Sequence, residues 1–114
     1  MPKILIIEDE QSILMALEPR FEAGVLLVGG LNPVPTQPVV DPFNFASRVR
    51  IPVLMVNGRY DQIFPLETGS RPLYDQLGSE EKEHVLVDGG HGIPYVVVVR
   101  ETLRWLDTYV AGTR

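Results

Sequence analysis

Four side chains capable of acid–base or metal chemistry follow apolar runs in this sequence. Glu8 and Asp9 come directly after the run that ends at Ile7, while Asp61 and His91 each follow a later run by a few residues. A carboxylate that hydrogen-bonds to an imidazole can orient the ring for general-base catalysis. Neighbouring carboxylates can instead hold a divalent cation such as Mg²⁺. The sequence therefore offers two candidate sites, an Asp–His pair and an acidic cation site.

Short apolar runs predict the strands that position these groups. The runs cover residues 3–7, 25–28, 53–56 and 84–87, and each is followed by polar or glycine-containing turns. Continuous apolar runs of this length are typical of strands buried on both faces of a parallel sheet, and the helical segments between them supply the crossovers. We therefore predict a three-layer α/β domain. Because the carboxyl ends of parallel strands share one edge, all four candidate side chains should lie on one rim.

The segments between the strands contain helices and one irregular stretch. Val96, Val99, Leu103, Leu106 and Val110 recur at spacings of three and four, which predicts an amphipathic helix near the C-terminal end. An earlier helix should end at residue 77, with residue 72, a proline, near its start. Four prolines within residues 33–42 exclude a regular helix or central strand there, so we expect an ordered surface excursion.

Composition limits the classes of function. The 114 residues fit one domain spanning 1–114, and 45% hydrophobic with 22% charged residues is typical of a folded globular chain. A net charge of −5 argues against a nucleic-acid surface, which needs clustered lysine and arginine. There is no cysteine for disulfides or thiolate metal sites. We find neither a membrane-spanning run nor a signal-peptide layout, and expect a cytoplasmic protein that contacts neither nucleic acid nor membrane.

The opening stretch "KILIIEDE" resembles the first strand of response-regulator receiver domains over residues 1–11. In that family the acid pair that corresponds to Glu8 and Asp9 helps to hold a magnesium ion. The resemblance implies a divalent-cation site at these two residues, to which Asp61 could add a ligand. The same acids can also be explained without a metal, because negative charge at the start of a helix complements the helix dipole.

Residues 16–111 resemble the C-terminal half of an α/β-hydrolase. The motif "NGRYDQIFP" would carry the triad acid as Asp61, and "DGGH" would carry the triad histidine as His91. The resemblance implies the strand order 1-2-3-4, with the first two crossover helices on one face and the last helix on the other. The family's nucleophile motif, G-x-S-x-G, is missing, and "IIEDEQ" stands where it is expected. Ser12 is the nearest candidate hydroxyl.

Together the two resemblances suggest a chimera, in which an engineered or natural recombination joined a receiver-type strand to residues 12–114 of hydrolase type. Without the nucleophilic serine we expect no enzyme and no native reaction, only a folding scaffold that retains an inherited Asp61–His91 hydrogen bond. Two alternatives remain open. One is a weak esterase that uses His91 and Asp61 with water or Ser12, and the other is a cation-binding receiver remnant that uses Glu8 and Asp9.

Two further expectations concern assembly and turns. Half of a hydrolase sheet would expose a strand edge and an apolar strip, and such surfaces recruit partners, so we expect a homodimer. The glycine pairs at 29–30 and 89–90 fit no phosphate-binding motif. We expect them to form turns that require a positive φ.

Overall fold

A computed structural model describes residues 3–7, 18–27 and 45–109 of the chain. Its strands are β1 (Ile4–Ile7), β2 (Ala23–Leu27), β3 (Val53–Gly58) and β4 (Lys82–Val87). They form one parallel sheet in the order β1-β2-β3-β4, which confirms the predicted topology. A 3₁₀ turn (Ala46–Arg48) precedes β3. A π-helical turn (Leu66–Ser70) leads into helix α1 (Arg71–Gln76), and helix α2 (Tyr95–Tyr109) follows β4.

Apolar side chains on the two faces of the sheet form two separate cores. On one face, Met55 and Leu26 pack with Leu73 and Leu77, which belong to α1 and its end. On the other face, the strands pack against α2 through its fully buried Trp105. Because side chains alternate along a strand, each central strand contributes to both cores. The last helix therefore lies opposite α1, as predicted. The first crossover helix, which we expect from about residue 10 to residue 18, lies outside the described ranges except for its last residue.

The third and fourth strands are longer than the apolar runs predict. β3 continues through Asn57 and Gly58, which pair with Leu86 and Val87 of β4. β4 begins at Lys82 rather than at residue 84. This polar start is tolerated because the Lys82 ammonium donates to the carbonyls of Tyr74 (2.7 Å) and of residue 77 (3.1 Å) at the C-terminal end of α1. A cation placed there also complements the helix dipole.

Among the described residues, the stripe through which α2 contacts the sheet shares only Leu106 with the stripe that the spacing pattern picks out. Trp105 is fully buried, and Val98, Leu106 and Tyr109 pack around it. Val96, Val99 and Leu103 are instead exposed, at 72%, 52% and 58%. The helix carries two apolar stripes, and periodicity alone could not tell which one the sheet would cover.

The exposed stripe of α2 has a counterpart on the edge strand. Ile6 of β1 is 58% exposed, and it lies on the same face of the sheet as Ile4, which packs in the α2 core. An apolar strip and an outer strand edge are therefore present, as expected for a partial sheet. The homodimer that we expect from them stays a prediction. Within the described ranges, no helix is both long enough and apolar enough to cross a membrane.

Candidate active site

Asp61 lies in the loop after β3 with its carboxylate completely buried. One oxygen, Oδ1, accepts hydrogen bonds from the backbone N–H groups of Ile63 (2.7 Å) and Phe64 (2.9 Å). An aspartate that accepts from backbone groups two and three residues on forms a local turn, which explains why this loop closes on itself. The turn fixes the carboxylate and leaves its other oxygen, Oδ2, available to a partner.

That partner is His91, from the loop after β4. Its Nδ1 lies 2.8 Å from Asp61 Oδ2. Because an ionised carboxylate can only accept a hydrogen bond, Nδ1 carries the proton, and the neutral ring then has its lone pair on Nε2. The His91 side chain is 37% exposed, so the ring is accessible, and the Phe64 ring lies 6.0 Å from it, centre to centre. The arrangement can orient an imidazole as a general base.

The two loops that carry this pair are joined along their backbones. Arg59 N–H donates to Val87 O (2.9 Å), and Tyr60 N–H donates to Gly89 O (3.0 Å), so the hydrogen bonding of β3 with β4 continues beyond the strands. On the outside, Arg59 Nε lies 3.0 Å from Asp88 Oδ1 in an exposed ion pair. The carboxyl-end rule thus brings Asp61 and His91 together as the sequence predicts.

The other histidine, His84, is half-buried on the α1 face of the sheet. Its Nε2 lies 2.9 Å from Asn57 Oδ1, and its ring stacks on Tyr74 with centroids 5.0 Å apart. Burial, followed by the positive charge of Arg71, lowers the pKa of His84 to about 4. The fourth apolar run of the sequence begins at this residue, whereas the structure places it inside β4, where it contacts Asn57 and Tyr74.

The remaining candidates divide between described and undescribed parts of the chain. Glu8, Asp9 and Ser12 lie outside the described residues, so the predicted cation site remains a prediction. Among residues 3–7, 18–27 and 45–109, no three acidic or histidine side chains cluster as metal ligands would. In the same ranges, no serine hydroxyl bonds to His91. Ser79 Oγ donates to Val49 O (3.4 Å), and buried Ser70 Oγ has no partner there.

A family model of serine hydrolases, FSH1, matches residues 4–102. The match begins in β1 and continues into α2, so it includes both Asp61 and His91. No curated protein sequence gives a significant match.

Solved structures with similar folds include hydrolases. Three structures of a cold-adapted esterase from an Arctic intertidal metagenomic library give TM-scores of 0.66–0.68 at 19–22% identity. They align with 82–96% of this chain, which spans only 39–49% of their length. A monoacylglycerol lipase from Paleococcus ferrophilus gives 0.68 at 16% identity, over 95% of this chain and 69% of the lipase. These likenesses establish the α/β-hydrolase fold.

The comparisons correct two expectations from the sequence. Because the hydrolase family model already includes residues 4–7, nothing supports a receiver segment at residues 1–11, and the interpretation as a chimera without native function was wrong. The conclusion that the chain is not an enzyme was wrong for the same reason, and the esterase and lipase folds agree. A short apolar strand of a parallel sheet satisfies the same packing rules in both folds, so a likeness over so few residues could not separate the two families.

Proposed function

The chain belongs to the FSH1 serine hydrolase family, and on this premise we propose that it contributes to the hydrolysis of carboxylic esters. His91 is the general base, and Asp61 holds its ring in the productive tautomer. The observation that carries the proposal is the 2.8 Å contact between His91 Nδ1 and a fully buried carboxylate. The Asp61 carboxylate is buried and also accepts two backbone N–H groups. Its contact with His91 is therefore fixed before a substrate binds.

In the isolated chain, the attacking group is water. His91 Nε2 takes one proton from the water molecule as its oxygen bonds to the ester carbonyl carbon, which gives a tetrahedral oxyanion. The oxyanion then collapses, the bond to the alkoxy oxygen breaks, and the imidazolium returns its proton to the leaving alkoxide. The products are one carboxylic acid and one alcohol. Asp61 stays ionised throughout and stabilises the imidazolium between the two proton transfers.

A serine nucleophile is the alternative for the first step. The sequence has four serines, at positions 12, 47, 70 and 79, and none stands in a G-x-S-x-G motif. Ser12 remains the candidate nearest to the expected motif. A fluorophosphonate, which forms a stable bond to an activated serine oxygen, separates the two routes. If the wild type is labelled and Ser12→Ala is not, the nucleophile is Ser12 and not water. If the wild type is not labelled, the result supports water as the nucleophile.

The exposed side chains around the pair favour esters with an apolar part. Tyr60 and Ile63 lie in the loop that carries Asp61 and are 70% and 58% exposed. Apolar groups left in solvent beside a polar site are a common feature of ligand-binding clefts. We expect longer acyl chains to be hydrolysed with a lower KM than acetate.

The test is hydrolysis of an activated ester, p-nitrophenyl butyrate, by the purified chain and by two matched variants. His91→Gln removes the base, while His84→Gln changes the chain's other histidine, which is half-buried on the α1 face of the sheet. General-base catalysis contributes roughly 10²- to 10⁴-fold. We expect His91→Gln to lose the excess rate over buffer and His84→Gln to keep it. Equal rates for all three proteins would refute the proposed function.

A further inference from the structure

The last residue of β3, Gly58, is covered by the backbone of the loop that carries His91. A Cβ atom built on Gly58 would lie 2.5 Å from the carbonyl oxygen of Gly89, and would overlap still more closely with that of Gly90. Both obstacles are main-chain atoms, which cannot turn aside as the end of a flexible side chain can. Any side chain at position 58 is therefore incompatible with the observed path of the loop.

The requirement belongs to Gly58 and not to the loop glycines. A Cβ on Gly89, Gly90 or Gly92 would meet nothing within 4 Å, and none of the three has a φ in the left-handed region between +20° and +160°. The expectation of a positive φ at 89–90 was therefore wrong. The glycine pair is not needed for a left-handed turn, and the close approach comes from the strand beneath it.

We propose that Gly58 is a positioning residue for the Asp61–His91 pair. Its missing side chain lets the loop after β4 cross the end of β3, and this crossing brings His91 Nδ1 to Asp61 Oδ2. The catalytic part of this inference rests on the proposed function, whereas the effect on the pair rests on the geometry alone.

The two halves of the pair respond differently to a methyl group at position 58. The Asp61 carboxylate is held by the N–H groups of Ile63 and Phe64 within its own loop. Its link to the loop after β4 is the hydrogen bond from Tyr60 N–H to Gly89 O (3.0 Å), which a displacement of that loop would also stretch. An alanine would have to push the Gly89 carbonyl oxygen outward by at least about half an ångström, and the Gly90 carbonyl oxygen by about one ångström, to reach even the shortest distance that Cβ contacts tolerate. A 2.8 Å hydrogen bond lengthened by this amount lies near or beyond the normal limit.

The experiment compares Gly58→Ala with three matched glycine variants. Gly90→Ala adds a methyl group to the loop residue that covers Gly58, at a position where nothing lies within 4 Å. Gly24→Ala adds it to buried β2, where the nearest atoms lie 3.6 and 3.9 Å away. Gly78→Ala creates a similar backbone overlap, with Ser47 O, outside both site loops. The set separates loss of the pair from general crowding.

Two signals are measured on each protein. The first is the downfield proton NMR resonance of the hydrogen-bonded His91 Nδ1–H, which is assigned by its loss in His91→Gln. The second is the hydrolysis of p-nitrophenyl butyrate. We expect Gly58→Ala to keep the backbone NMR spectrum of a folded protein but to lose the His91 Nδ1–H resonance. Its rate of ester hydrolysis should fall at least tenfold. Gly90→Ala and Gly24→Ala should keep both signals, and Gly78→Ala should be less stable but keep the resonance in its folded fraction.

Several results would overturn the inference. They are a Gly58→Ala protein that keeps the resonance, a Gly90→Ala protein that loses it equally, or a Gly78→Ala protein that loses it while folded. If Gly58→Ala does not fold in buffer, it is measured in trimethylamine N-oxide, which favours compact states. Failure to fold even there would also overturn it, because Gly58 would then sustain the sheet and not the pair specifically. A wild type with the resonance but no His91-dependent hydrolysis would refute the proposed function alone.

Discussion

Replacing His84 with glutamine should remove a large part of the acid sensitivity of the fold. In the folded protein His84 Nε2 donates to Asn57 Oδ1, while Nδ1 is buried and has no hydrogen-bond partner among the described residues. Protonation would place an uncompensated N–H and a positive charge at that position. The groups around it are the stacked Tyr74, the cation of Arg71 and, with the opposite effect, Asp75. Burial is the first cause of the lowered pKa, about 4.

The sign and size of the effect follow from linkage between protonation and folding. The unfolded chain takes up a proton on this imidazole as the pH falls through 6.5, whereas the folded chain does so only near pH 4. Stability from neutral His84 is therefore fully present above pH 6.5 and is lost as the pH falls towards 4. A fully desolvated imidazole would lose roughly 3 kcal/mol over this window. Because His84 is only part-buried and solvent screens its charge, we expect a loss of about 1–2 kcal/mol.

Urea unfolding of wild type and His84→Gln at a series of pH values between about 4 and 7.5 measures the effect. Glutamine can still donate to Asn57 but does not titrate. The carboxylates and His91 contribute equally to both proteins, so the difference between the two curves isolates His84. We expect the wild type to lose about 1 kcal/mol more than the variant between pH 7 and pH 5. Parallel curves, or an NMR titration of His84 with a midpoint near 6.5, would refute the argument.

Three further predictions concern the ends of α1, the α2-side core and the site. Lys82→Met should lower the free energy of urea unfolding by about 1–3 kcal/mol, because the ammonium bonds to carbonyls at the end of α1 and lies 4.6 Å from the Tyr74 ring; an unchanged midpoint would contradict this. Trp105→Ala should lower the free energy of unfolding by about 3–5 kcal/mol in the same assay. Trp105→Phe should lower it far less, because phenylalanine fills most of the space and lacks the buried indole N–H, which has no partner in the described ranges. Equal losses in the two variants would count against this account. Asp61→Asn should reduce ester hydrolysis about 10²-fold or more with little change in thermal unfolding, and an undiminished rate would show that Asp61 does not orient the base.

The sheet and the approximate position of the Asp–His pair could be predicted from the sequence for physical reasons. A strand buried on both faces must be apolar along its length, so β2 and the first part of β3 are visible as runs. Parallel strands place the residues that follow them at one edge, so Asp61 and His91 had to be neighbours on the rim.

What the sequence could not supply depends on contacts between distant segments. Helix α2 has two apolar stripes, and only the position of the sheet decides that Trp105 is buried and Leu103 exposed. The polar start of β4 at Lys82 depends on the end of α1 lying over it. The importance of Gly58 likewise depends on a loop about thirty residues away crossing above it. The family itself was obscured at the N-terminal strand, because strand packing and helix dipoles favour similar residues in unrelated α/β proteins.

The all-parallel pairing of the strands also determines how this chain can acquire its structure. Ile4 pairs with Ala23, Gly24 with Val53, and Val53 with Lys82, so each pairing closes a loop of about twenty to thirty residues. No strand pair of this sheet can form as a hairpin on the microsecond timescale, and none can seed its neighbour locally. The loss of chain entropy comes before the stabilising contacts form. Refolding from urea should therefore take milliseconds to seconds, a window in which unpaired strand edges are open to association with other molecules.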